Sequence, residues 1–227
     1  MLPMGRTKLS MFRPLLLLAP LGLVLWWFWA RAPQPAAASR FDEELDRALL
    51  PVMQQREVQL KLGAATPSQA RLLARELALR SVPYLAPRDL ELWAETRQRV
   101  AARSKPACAR LWKGGDEAAL GPEIAALGDD TLDAYTDLLS RGLSLRLERK
   151  PPPQLSPGVI ERGLAAVAAE LPPEQRAAFE RDVKRRDVDD ERACQLFLTL
   201  SRGAAKLEPA LRVDFYRALA AELQTPP

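Results

Sequence analysis

Asp-Asp-Thr-Leu-Asp-Ala-Tyr-Thr-Asp-Leu-Leu-Ser-Arg-Gly-Leu, residues 129–143, sets Leu132, Tyr135, Leu139 and Leu143 at intervals of three and four. That period keeps side chains on one side of a 3.6-residue turn, so it predicts a helix whose apolar stripe faces a core. The pattern recurs along the chain. Leu90, Trp93 and Val100 share a face of a stretch from Pro87 to about Arg103, and Ile160, Leu164, Val167 and Leu171 share another. Cys194, Phe197, Leu200 and Ala204 form one more stripe, as do Leu211, Phe215, Leu219 and Leu223. No stretch alternates apolar and polar residues long enough to argue a strand; the few residues from Leu143 to Leu147 that come near it fit a helix equally well. The expectation is an all-α protein, with about seven to nine short helices following an N-terminal membrane helix.

Punctuation between the stripes supports this. Thr66-Pro67-Ser68-Gln69 supplies a cap hydroxyl, a proline at the first helical position and a glutamine two residues on, predicting a helix to about Ser81. Ser104-Lys105-Pro106 starts a short helix that Gly114-Gly115 stops. Asp129-Asp130, Ser156-Pro157, Pro172-Pro173, Asp189-Asp190 and Glu208-Pro209 read as further starts. A first stretch from Arg40 to about Leu62 is interrupted near Pro51, and the prolines of 150–157 suggest a subdomain boundary. There is also a faint internal echo: Leu139-Ser140-Arg141-Gly142 follows Asp129-Asp130, and Leu200-Ser201-Arg202-Gly203 follows Asp189-Asp190.

The first 31 residues differ from the rest. A basic segment, 1–13, with Arg6, Lys8 and Arg13, precedes an uncharged apolar run, 14–30, that closes on Trp26, Trp27 and Trp29 before Arg31. At 1.5 Å per residue the run spans roughly 25 Å, and Arg13 and Arg31 can snorkel to complete a single crossing. Indoles suit the headgroup interface, and the positive-inside bias keeps the amino terminus cytoplasmic and exports the remainder of the chain. Residues 31–39, rich in Ala and Pro, read as a tether to an extracytoplasmic domain over 40–227. The expectation is a single-pass protein of a bacterial inner membrane with its carboxyl-terminal domain in the periplasm. A cleaved signal peptide, cut near Ala38 after Ala36-Ala37, is the competing reading.

Composition narrows the function. The chain carries a formal net charge of +4, and Arg6, Lys8, Arg13 and Arg31 account for all of it. The remainder is neutral, which removes the broad positive field that nucleic-acid binding needs. There is no histidine, so His-based acid–base catalysis, histidine triads and histidine-ligated metals are excluded together. The two cysteines, Cys108 and Cys194, lie far apart on predicted apolar stripes. In an oxidising compartment they read as one structural disulfide; two unpaired core cysteines and a reactive thiol are the alternatives. Closing a loop of about 86 residues would stabilise the fold by roughly 4–5 kcal/mol on chain-entropy grounds.

Two acidic groups are the places to look for chemistry, Asp129, Asp130, Asp133 and Asp137, and Asp187, Asp189, Asp190 and Glu191. Both sit at predicted helix starts, where carboxylates cap amides and suit the dipole, and neither has calcium-loop spacing. Lys184-Arg185-Arg186, and Arg146, Arg149 and Lys150, suit helix carboxyl ends and could also meet acidic lipids or a partner. No serine has a base to activate it, and no phosphate-binding glycine motif is present. No catalytic residue, cofactor or metal ligand is therefore assigned. Trp93, Trp112 and Tyr84 are the aromatics to inspect for a partner face, with core packing as their ordinary role. The expected function is a protein-interaction module with an unidentified protein partner, serving as scaffold, accessory or inhibitor; a carboxylate-dependent enzyme is an alternative.

The layout of basic terminus, anchor, Ala/Pro tether and helical exported domain also resembles the lipase-specific foldases, with Arg40-Phe41-Asp42 similar to the arginine and Phe-Asp of their folding motif. Glu43 stands where that motif continues with tyrosine, the rest of it is missing, and this chain is shorter. The resemblance implies a steric chaperone for a secreted enzyme.

Overall fold

A computed structural model describes residues 39–63, 66–114, 117–148 and 151–223. These contain only helices and connections: α1 (Arg40–Met53), α2 (Arg56–Leu62), α3 (Pro67–Leu79), α4 (Pro87–Arg103), α5 (Lys105–Lys113), α6 (Gly121–Ala125), α7 (Asp129–Leu147), α8 (Val159–Ala169), α9 (Pro173–Asp182), α10 (Asp190–Ala204) and α11 (Pro209–Leu223). Two 3-10 turns, Val82–Tyr84 and Glu117–Leu120, complete the set. The protein is thus all-α. Eleven α-helices exceed the seven to nine expected, because Gln54–Gln55 divides the first stretch into α1 and α2, and α6 is too short to show a period. The expectations for segments 1–13, 14–30 and 31–38, with Arg13, Trp26, Trp27, Trp29, Arg31 and the cleavage point near Ala38, lie outside the described residues. Among the described residues no helix is long and apolar enough to cross a membrane.

Ser39, assigned from sequence to the tether, belongs to the fold. Its hydroxyl accepts from the Asp42 amide and the Asp42 carboxylate accepts from the Ser39 amide, a reciprocal cap that satisfies two donors at the start of α1. Phe41, Leu45, Leu49 and Val52 then form the buried face of α1. They pack on α7, whose Leu132, Tyr135, Leu139 and Leu143 are all at most 1% exposed. At the centre of that junction the Ser140 hydroxyl donates to the Ala48 carbonyl at 2.8 Å. Helix α3 closes over the outside of α1, where the Arg75 guanidinium pairs with Asp46 at 2.5 Å and reaches Asp42 at 3.4 Å.

The second junction joins α5 to α10. Ala107, Cys108 and Ala193 are fully buried, and small side chains let the two backbones approach until the Cα atoms of Cys108 and Cys194 are 4.9 Å apart. The two cysteines form a disulfide. Around this pair α8 packs on α10 and α11, closely enough that a Cβ on Gly203 of α10 would meet a Val167 methyl at 2.5 Å. The two junctions belong to one continuous apolar core running from Phe41 to Ala220.

Arginines close many helix ends, where the last carbonyls have no partner within the helix. Arg146 donates to Arg80 O at 2.8 Å, beyond α3, and Arg176 donates to Ala168 O and Ala169 O at the end of α8. Arg217, 5% exposed, donates to Pro83 O and Leu85 O and so binds α11 to the Val82–Tyr84 turn. Burial pushes its pKa down, opposed by Asp214 at 3.6 Å. Helix α7 begins at Asp129 as expected, with Gly128 (φ 110°) as its N-cap, whereas the N-cap of α8 is Gly158 (φ 67°) and not Ser156. Both are positive-φ positions that glycine adopts without steric cost.

Candidate functional site

Four of the predicted stripes converge without filling the space between them. Trp93 and Arg97 of α4, Leu111 and Trp112 of α5, and Ile160 and Leu164 of α8 line three sides of a cleft. Phe197, Leu200, Ser201 and Ala204 of α10, Tyr216, Leu219 and Glu222 of α11, and Val183 and Arg186 after α9 complete it. Its volume is about 90 Å³. Cofactor and drug-sized ligand pockets run to roughly 300–1,000 Å³, so this one suits a single side chain. Helices α5 and α10, which carry Trp112 and Phe197, are the two the disulfide joins, so a covalent bond spaces two of its walls.

Each indole carries a guanidinium. Arg97 lies 4.6 Å from the Trp93 ring centroid and Arg186 lies 5.2 Å from that of Trp112. The Trp112 ring is held by its Nε1–H, which donates to Arg185 O at 3.0 Å, while the residue's backbone carbonyl accepts from Arg186 Nη1 at 2.6 Å. Burial raises the pKa of the Tyr216 hydroxyl, with Arg212 opposing and Glu91 adding to the rise, so the phenol stays neutral at physiological pH. The cleft therefore offers apolar walls and fixed cations.

A larger hollow of about 340 Å³ lies between α9 and α10, lined by Gln175, Arg192, Gln195 and Thr199 among others. Its arginine is already engaged: Arg192 donates to Asp182 at 2.9 Å and to Ala178 O at 2.9 Å. Burial would raise the Asp182 pKa, but hydrogen bonds from Arg181 and Arg192 outweigh it and hold the carboxyl below the ordinary aspartate value. The group is a structural tie between α9 and α10.

The other residues marked in the sequence separate cleanly. Asp189 caps α10 by accepting from the Arg192 amide at 2.8 Å, Asp190 pairs with Lys113 at 2.6 Å, and Asp187 pairs with Arg185, which lowers its pKa. Asp129 pairs with Arg40. Among the described residues no group of three or more acidic or cysteine side chains could hold a metal ion. The residues resembling the foldase motif all serve the fold: Arg40 in the pair with Asp129, Phe41 buried 6.5 Å from Tyr135, and Asp42 in the cap of α1. Trp93 and Trp112 are both core residues and cleft walls, while Tyr84 is half-buried beneath Arg146 at 5.9 Å.

Sequence reasoning placed Ile160, Leu164 and Leu219 on core-facing stripes; Leu164 and Leu219 do pack against the core, and all three also line the cleft. It passed over Arg97, although the four-residue spacing from Trp93 was visible as a helical neighbour pair. The partnership of Trp112 with Arg186 crosses 74 residues and leaves no local trace. Compared with known proteins, the chain matches no family model, no curated sequence and no solved structure.

Proposed function

We propose that this protein is a membrane-anchored, extracytoplasmic helical interaction module, held by a single span over 14–30, and that the cleft between α4, α5, α8, α10 and α11 is where it engages a protein partner. The observation that carries the docking assignment is the cleft's build: fixed indoles, apolar walls and room for one side chain, the features of a pocket that receives an anchor residue at the centre of an interface. The address rests on the basic–apolar–tryptophan order of residues 6–31. A stabilising disulfide accords with an oxidising compartment.

Two experiments test the two halves. A photo-crosslinking amino acid at Ser201, in the cleft, should give a discrete adduct in native membranes, and the same probe at the exposed neighbour Arg202 should not. Equal adducts, or none, would remove the docking assignment. A reporter enzyme active only outside the cytoplasm, fused after Pro227, should be active; activity confined to a cytosolic reporter would remove the address.

A further inference from the structure

We infer that the occupant of the cleft is a partner segment bearing a branched aliphatic side chain with a carboxylate beside it, such as leucine or valine next to glutamate or aspartate. This rests on the docking assignment above and adds the chemistry of the docked segment.

Size excludes the bulkier apolar candidates. A volume of about 90 Å³ is smaller than the roughly 150 Å³ cavity that holds one benzene, so an acyl chain or a cofactor ring system would be left outside. An anchor side chain that enters with its Cβ at the mouth needs no more room than this.

Charge then selects the neighbour of that anchor. Arg186 is exposed at the mouth, with its guanidinium held over Trp112 and one nitrogen bonded to the Trp112 carbonyl. It pairs with no carboxylate among the described residues, in contrast to Arg185 beside it, which is taken by Asp187. The exposed Lys184 likewise has no ion pair there. Stacking and the carbonyl bond fix the guanidinium plane in advance, so its remaining donors meet an incoming carboxylate with little further loss of rotamer freedom. Among the described residues Glu222 of α11 is the only acid lining the cleft, and it too lacks an ion pair there. It opposes a carboxylate on the α11 side, which places the partner's acid on the Trp112–Arg186 side.

Selection of random heptapeptides on the immobilised full chain in detergent tests this, with Ser201→Phe as a plugged control. Gln98→Phe is a second plug, and circular dichroism monitors helix content in both. The expected result is enrichment of peptides with a branched aliphatic residue adjacent to Asp or Glu, lost on both plugged proteins. For one such peptide, Glu→Gln in the peptide and Arg186→Gln in the protein should each weaken binding about fivefold, and together no more than either alone. Enriched peptides that depend on the open cleft but show no acid preference, or unchanged affinity on Arg186→Gln, would overturn the carboxylate and leave the docking assignment standing. If no peptide is enriched, or the plugs leave binding intact, both fall.

Discussion

Ser140 meets Ala48 and Cys108 meets Cys194 across nearly the same length of chain, 92 and 86 residues, yet the two junctions are closed by different means. Bringing either pair together costs a similar loop entropy. Between α1 and α7 that cost is offset by burial of large side chains, Phe41, Leu45, Leu49, Tyr135 and Leu139 among them. Between α5 and α10 small buried residues, Ala107, Cys108 and Ala193, sit among larger ones, Leu111, Trp112, Leu196 and Leu200, and a disulfide adds a covalent tie. Small contacts also leave the flanking aromatics, Trp112 and Phe197, facing a space no leucine fills, so the cleft lies beside the junction with the bond.

Built so differently, the two junctions should respond differently to the same insult. Replacing both cysteines by alanine should lower the unfolding free energy by about 4–5 kcal/mol in urea titration; a loss below about 1 kcal/mol would show that the α5–α10 contacts suffice alone. Leu139→Ala, at the centre of the other junction, should cost about 3 kcal/mol through lost burial and a residual cavity, with the disulfide intact by mass. A comparable loss from Leu198→Ala, half-buried on α10, would erase the distinction.

Gly203→Ala forces a methyl against Val167 and should cost about 2 kcal/mol by overpacking. It should also shift intrinsic tryptophan fluorescence, because α10 carries a cleft wall. Ser140→Ala removes one hydrogen bond from the α1–α7 junction and should cost about 1 kcal/mol, leaving the fluorescence unchanged.

The smallest effect is a pH dependence on the cleft side of the molecule. Asp182 has a lowered pKa in the folded state, so its ties to Arg181 and Arg192 stabilise fully above the unfolded value of about 3.9 and are lost as pH falls through the folded one. Asp182→Asn should therefore lower Tm at pH 7, and the gap to wild type should close on acidification below pH ~4. A gap that persists in strong acid would mean the asparagine perturbs packing rather than charge.

The helices themselves were legible because their signals are local. Thr66 as a cap, Pro67 at the first helical position, Pro87–Arg103 as one helix and Ser104 as the cap of the next all follow from neighbours within a turn. The Leu-Ser-Arg-Gly echo shows where locality ends. Leu139 and Leu200 are both buried, and a Cβ on either following glycine would meet a side chain of another element: Ser81 for Gly142, Val167 for Gly203. Yet Ser140 is bonded across a core and Ser201 lines a cleft. Identical tetrapeptides acquire different roles because their partners, α1 and the α4–α8–α11 cluster, lie elsewhere in the chain.

Residue order alone specified an all-helical protein, its main helix boundaries, an even pair of cysteines and the absence of histidine chemistry, since each depends on composition or on contacts within a turn. Which apolar stripes would fill one another and which would stop short was set by three-dimensional packing. Small residues at the α5–α10 contact fix how close those helices come, and that separation leaves Ile160, Leu164 and Leu219 facing a cleft with Arg186 at its edge.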